Sequence, residues 1–231
     1  HDLLLRRFAF ERFLARLGES KYRDRFILKG AMALIAVTGS FRRPTRDMDM
    51  LGTETLSGEE ALAILAEIAS VEPKEEDALH FDMASFKYDV INAQNEEPGT
   101  CITGYAYLGK VRIPLKIEIS HGHLVTPRAV LMDYPSVLSG STPANILCYT
   151  RETMLAEKFE AICSLGTRTS RFKDFYDVRE LSRKLDFDGE STAEALRRTF
   201  GNRGTDLPTT APNSFAPEFF EEGNKGWQSF L

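Results

Sequence analysis

Residues 26–52 read FILKGAMALIAVTGSFRRPTRDMDMLG, and the fold turns on this stretch. It predicts a short strand at Phe26 to Leu28, a Lys29-Gly30 turn, an apolar helix from Ala31 to Val37, an arginine-bearing loop and a second strand carrying Asp47 and Asp49. Side chains alternate across a strand, so the two carboxylates share one face while Met48 and Met50 point into a core. Neighbouring carboxylates repel unless a cation lies between them, and oxygen-rich pairs suit Mg²⁺ together with substrate phosphates. Lys29-Gly30 offers the other half of a phosphate site: a cation, a turn where backbone can approach closely, and the start of a helix. A solvated strand face is the alternative reading of Asp-x-Asp.

Around this centre the chain has 231 residues, 42% hydrophobic and 27% charged, which suits a globular protein of one large or two small domains. No apolar run approaches the roughly 20 residues needed to cross a bilayer, and no signal-peptide pattern follows the first residues, so a cytoplasmic location and no membrane partner are expected. Cys101, Cys148 and Cys163 are too widely spaced for a disulfide framework or a CxxC metal site and are expected to be buried and inert. The net charge of −5 argues against indiscriminate nucleic-acid binding. Yet residues 1–50 carry 11 Lys/Arg against 6 Asp/Glu, and residues 151–184 carry 8 against 6, so positive charge gathers on the segments holding the suspected chemistry.

Upstream, Asp2 to Leu17 has the spacing of an amphipathic helix ended by Gly18, its arginines read as a solvated face. Downstream, Ser57 and Glu60 form a capping box for a helix from Gly58 to Ser70. From Phe81 to Ile119 the pattern is that of antiparallel strands, with turns at Gly104 and at Leu108-Gly109-Lys110. In the last strand Lys116 and Glu118 share a face opposite Leu115, Ile117 and Ile119. If that strand lies beside the Asp47/Asp49 strand, Glu118 supplies a third carboxylate; otherwise it is a cross-strand ion-pair partner. His121 and His123 read as a polar turn rather than a zinc site. Residues 124–143 read as a loop-rich passage leading to a helical part, where Thr150 and Thr153 cap a helix to Leu165 with Leu155, Phe159 and Ile162 inward. Lys158 lies at the margin of that stripe. A further helix packs Phe172, Phe175, Tyr176 and Leu181 and carries Asp174 and Asp177 on one face, with Arg171 and Lys173 near them. Beyond Leu185 the chain reads as turn-rich, with a short final helix from Pro217 to Leu231.

In order, Lys29-Gly30 with Ala33-Leu34, Arg43-Pro-Thr45-Arg-Asp47-Met-Asp49, Lys116-Ile-Glu118-Ile, Glu152-Thr-Met-Leu-Ala-Glu157-Lys158 and Arg171-Phe-Lys173-Asp174-Phe-Tyr-Asp177 resemble the motifs of the AbiEii/AbiGii nucleotidyltransferase family. Ala31 stands where the family usually has a second glycine, and Glu118 where aspartate is common. The resemblance implies an α+β fold: a polymerase-β-like nucleotidyltransferase lobe over 1–145, a mixed sheet with flanking helices, plus a C-terminal helical domain over 146–231. It implies a toxin of type IV toxin–antitoxin and abortive-infection systems that moves a nucleoside monophosphate from an NTP to RNA, the tRNA 3′ end foremost, and releases pyrophosphate. Asp47, Asp49 and Glu118 would hold Mg²⁺ or Mn²⁺. Lys29, Gly30, Thr45, Arg46 and Lys116 would line the phosphates, and Lys158 would reach in from the helical domain. Arg171, Lys173, Asp174 and Asp177 would shape the far wall. A co-encoded antitoxin would act without binding the chain. Transfer to a small molecule or protein, and a non-catalytic nucleotide-binding module, remain the alternatives.

Overall fold

The computed structural model describes residues 2–39, 45–91, 99–168 and 171–222, with the side chains of residues 168 and 220–222 excepted. Arg42, Arg43, the side chain of Arg168 and the end of the expected final helix, with Trp227, lie outside the described residues. The chain forms two compact units, His1–His123 with Ala129–Tyr149, and Leu124–Arg128 with Thr150–Leu231.

The first unit is built on a mixed seven-stranded sheet. Its strands are β1 (Phe26–Lys29), β2 (Met48–Gly52), β3 (Leu79–Ile91), β4 (Gly99–Leu108), β5 (Val111–Ser120), β6 (Val130–Tyr134) and β7 (Ala144–Cys148). Their order across the sheet is β3-β4-β5-β2-β1-β7-β6. β2 runs parallel to β5 and antiparallel to β1, and β1 runs parallel to β7. Met48, Met50, Ile117 and Ile119 are fully buried, as their alternation with Asp49 and Glu118 requires. On their face lies α1 (Asp2–Glu19), whose Phe13 meets Phe81 of β3 edge to face at 5.6 Å.

Several local readings change. α1 continues through Gly18, which is not a stop: a Cβ there would lie 2.8 Å from the carbonyl oxygen of Asn145, so the missing side chain lets α1 approach β7. Nor are the α1 arginines solvated. Arg16 is buried and grips Asp77 through two hydrogen bonds of 2.6 and 3.1 Å. Buried Glu11 accepts from Arg7 Nε and from the backbone N–H of Val137, both at 2.8 Å, pinning the chain after β6. Gly104 is no turn but sits inside β4, under the ring of Phe86. The passage read as loop holds β6, and β7 follows it directly; together they extend the sheet past β1. Other elements agree with the sequence reading: α2 (Gly30–Thr38) ends on left-handed Gly39, and α3 (Gly58–Ala69) carries the Ser57/Glu60 capping box.

The second unit contains α4 (Arg151–Leu165), α5 (Phe172–Lys184), α6 (Gly189–Arg203) and α7 (Pro217–Glu222). Thr150 caps α4, but the buried apolar residues of α4 are Met154, Ala156, Ala161 and Ile162, with Leu155 and Phe159 half-covered. α6 was not anticipated. Its start is Asp188, whose carboxylate accepts from the N–H of Ser191 at 2.8 Å, and its stop is left-handed Gly204. Glu160 is buried on α4 and accepts from Arg203 and Thr205, both at 2.7 Å, which ties α6 and the following turn to α4. Phe172, Phe175 and Phe219 pack with Ile162, so the described part of the tail completes this core.

Candidate active site

β1 is short and buried along Phe26, Ile27 and Leu28, and Lys29 emerges where α2 begins. Antiparallel pairing sets Lys29 opposite Asp49, and parallel pairing sets Asp49 opposite Glu118. Register partners project from the same face, so Lys29, Asp49 and Glu118 form one row across three adjacent strands. This settles the adjacency that makes Glu118 a neighbour of the Asp-x-Asp segment. Cys101 of β4 continues the row beyond Glu118, followed by Asp89 of β3.

Asp47 stands immediately before β2 rather than on it. Thr45 Oγ1 hydrogen-bonds to the Asp47 carboxylate (2.8 Å) and backbone carbonyl (3.0 Å), which holds the chain in a bend instead of a ladder. The alternation still reaches back: Asp47 and Asp49 are half-buried while Met48 between them is buried. Gly30 adopts φ +66°, and a Cβ on it would fall on the carboxylate of Asp49. The Lys29-Gly30 turn is therefore glycine for two reasons, backbone handedness and the close approach of an acid. Ala31 is buried in the first turn of α2.

On β5, Lys116 and Glu118 form a direct ion pair on the row's face. The hydrogen bond to Glu118 holds the Lys116 ammonium above its ordinary range, and Asp47 adds to the effect. Cys101 is half-buried rather than buried, and burial pushes its thiol pKa up, with Glu118, Asp89 and Asp47 pushing the same way. These influences mark Lys116, Glu118, Asp47 and Cys101 as one electrostatic neighbourhood. The cysteine was missed because only its register partner Glu118 gives it a place. Arg46 is exposed. His121 lies over Gly52, and burial lowers its pKa.

Carboxylate oxygens on one sheet face are the donors a hard divalent cation takes. In the observed conformation Asp47 is turned to Thr45 and Glu118 to Lys116. Among the described residues no three His, Cys, Asp or Glu side chains converge as a ready ligand group. The donor set and its register thus fit such a cation in kind, through side chains now held by other partners.

In the second unit, Lys158 of α4, placed by the sequence at the margin of an apolar stripe, is anchored between two acids. Its ammonium lies 3.2 Å from Asp174 Oδ1 and 2.7 Å from Asp177 Oδ2, and the three side chains are only 13%, 1% and 0% exposed. Arg171 adds a second cation, with Nε 2.7 Å from Asp174 Oδ2. Lys173 is exposed. The sequence put Asp174 and Asp177 on one face with Arg171 and Lys173 near them, but Lys158, 16 residues before Asp174, is what pairs with both acids inside.

The fold is that of the polymerase-β-like nucleotidyltransferases. An antigenic nucleotidyltransferase-like protein from Paracoccidioides brasiliensis superposes with a TM-score of 0.51 at 12% identity, over 94% of each chain. JHP933 from Helicobacter pylori gives 0.49 at 14% identity over 96% of this chain and 88% of its own. ANT(2")-Ia in complex with adenylyl-2"-tobramycin gives 0.47 at 18% identity over 85% and 97%. No curated protein matches the sequence. No helix among the described residues is long and apolar enough to cross a membrane. Residues 12–231 match the family described as Nucleotidyl transferase AbiEii toxin, Type IV TA system, so the chain belongs to that family of nucleotidyltransferases.

Proposed function

We propose that the protein transfers a nucleoside monophosphate from an NTP to the 3′ end of tRNA. The bond formed joins the acceptor hydroxyl oxygen to the α-phosphorus; the α–β phosphoanhydride bond breaks, and pyrophosphate leaves. The observation that carries this reading is the row Lys29–Asp49–Glu118 across β1, β2 and β5, with Asp47 on the same face. Holding three carboxylates on one face is costly without cations, which favours a catalytic site over a passive binding surface.

Asp47, Asp49 and Glu118 would hold Mg²⁺ or Mn²⁺, which supplies charge neutralisation on the triphosphate and a more acidic acceptor hydroxyl. Glu118 helps accept the proton from that hydroxyl oxygen. Lys29, the open backbone at Gly30, Thr45, Arg46 and Lys116 orient the phosphates. In the second unit, Asp174 and Asp177 fix the ammonium of Lys158, and Arg171 and Lys173 add positive charge at the start of α5. A type IV system implies a co-encoded antitoxin, and here it acts without binding the chain.

The test is incubation with each α-labelled NTP, Mg²⁺ and total RNA. Label in tRNA supports the reading. Label in a small hydroxylated acceptor or a protein, with none in RNA, moves the assignment to another acceptor.

A further inference from the structure

The two outer carboxylates of the row's face are held in different ways. Asp47 is held by the neutral hydroxyl of Thr45, whereas Glu118 is held by the charged ammonium of Lys116. A hydroxyl that donates to one carboxylate oxygen leaves the negative charge intact for a cation. An ammonium ion paired with Glu118 competes for the same charge. Lys116 and Glu118 are two residues apart on one strand, so they share a face by construction, and both are partly exposed, 42% and 30% at the side chain. Lys116 therefore has solvent room to swing off Glu118 without disturbing the buried Leu115, Ile117 and Ile119 beneath it.

We infer that Lys116 is the built-in counter-cation of Glu118: a divalent cation displaces it from that carboxylate, and the freed ammonium is then offered to the triphosphate. Metal and nucleotide binding are thus coupled through one side chain, by the reciprocity that any such coupling obeys. The inference rests on the nucleotidyl-transfer reading and adds to it an order of events and a role for Lys116 beyond lining phosphates. A lysine that merely lines phosphates repels a metal ion to the same extent with or without the Glu118 charge; a competing lysine weakens metal binding through Glu118.

The test reads Mn²⁺ affinity from the free-ion paramagnetic resonance signal, using full-length protein stripped by chelation, first without nucleotide. Lys116→Met should tighten Mn²⁺ binding about two- to five-fold, the scale of a partly exposed ion pair. Lys116→Arg, which keeps the pair, should stay near wild type. In a Glu118→Gln background the effect of Lys116→Met should largely vanish, because the competition acts through Glu118. With a non-hydrolysable NTP analogue, Lys116→Met should weaken nucleotide binding more with Mn²⁺ present than without it. Unchanged or weaker Mn²⁺ binding in Lys116→Met, or equal tightening in the Glu118→Gln background, overturns the inference. If wild type binds Mn²⁺ and analogue while Lys116→Met shows none of these differences, the inference alone fails. If wild type binds neither, the nucleotidyl-transfer reading fails with it.

Discussion

Asp49 of β2 and Glu118 of β5 are register partners across a parallel strand pair, 69 residues apart in sequence and side by side in the sheet. Lys29 flanks Asp49 from β1, so a cation and two acids lie in one row, with Asp47 one pleat before them. The expected consequence is that Asp47→Asn and Asp49→Asn each lower transfer at least about 100-fold. Neither change removes core volume, because the buried partners on β2 are Met48 and Met50. Turnover and thermal melting on the same samples check this: full activity in both variants contradicts the assignment.

Gly30→Ala and Gly39→Ala form a matched pair. Both glycines have positive φ, so each substitution should cost about 1–2 kcal/mol of stability. Only at Gly30 does the new Cβ meet the Asp49 carboxylate; at Gly39 it meets nothing among the described residues within 4 Å. Both variants should melt earlier, but only Gly30→Ala should lose transfer beyond its loss of folded protein. Equal activity in the two would separate the turn from the chemistry.

The central stretch was legible because two short-range rules agreed there: period-two alternation gave the faces of Asp47 to Met50, and the apolar run from Ala31 to Val37 gave α2. Pairing of β2 with β5 was not legible, since it joins segments nearly 70 residues apart and one sequence carries no register information. β6 and β7 were hidden by the prolines and glycines around them, which mark turns without saying that short strands lie between. α6 was hidden because the chain beyond Leu185 read as turn-rich, while the Asp188 cap went unread. The α1 arginines misled because helical charge is usually solvated, and only the fold reveals Asp77 beside Arg16. Lys158 was placed at a helix margin, but its two acid partners come from another helix.

Glu11 gives a pH signature. Burial raises its pKa above the usual 4.5, outweighing its bonds to Val137 and Arg7. Folding therefore favours its protonated form: the contribution is fully present below 4.5 and is lost as pH rises through the raised value. Glu11→Gln keeps one acceptor oxygen, so it retains one of those hydrogen bonds, and it does not titrate. The melting temperature of Glu11→Gln relative to wild type should rise as pH climbs from below 4.5 toward neutrality. A difference that moves the other way would mean that the Arg7 pairing outweighs burial.

Asp177 is fully buried against Lys158. Removing it leaves the buried ammonium with Asp174 as its remaining acid, so Asp177→Ala should cost about 1.5–3 kcal/mol in urea denaturation. Arg171→Ala breaks a contact whose cation is half-exposed, and should cost about 1 kcal/mol or less. Equal losses in the two variants would contradict the division between a buried anchor and a surface pair.

The most direct test of nucleotide transfer to the tRNA 3′ end uses purified tRNA in two forms, intact and with its terminal ribose opened by periodate. Each is incubated with protein, Mg²⁺ and the α-labelled NTP that gives most label. Intact tRNA should become labelled with release of one pyrophosphate per nucleotide added, while oxidised tRNA and the Asp49→Asn protein should give none. Equal labelling of oxidised tRNA, or no labelling of either form by an enzyme that consumes NTP on another acceptor, would contradict it.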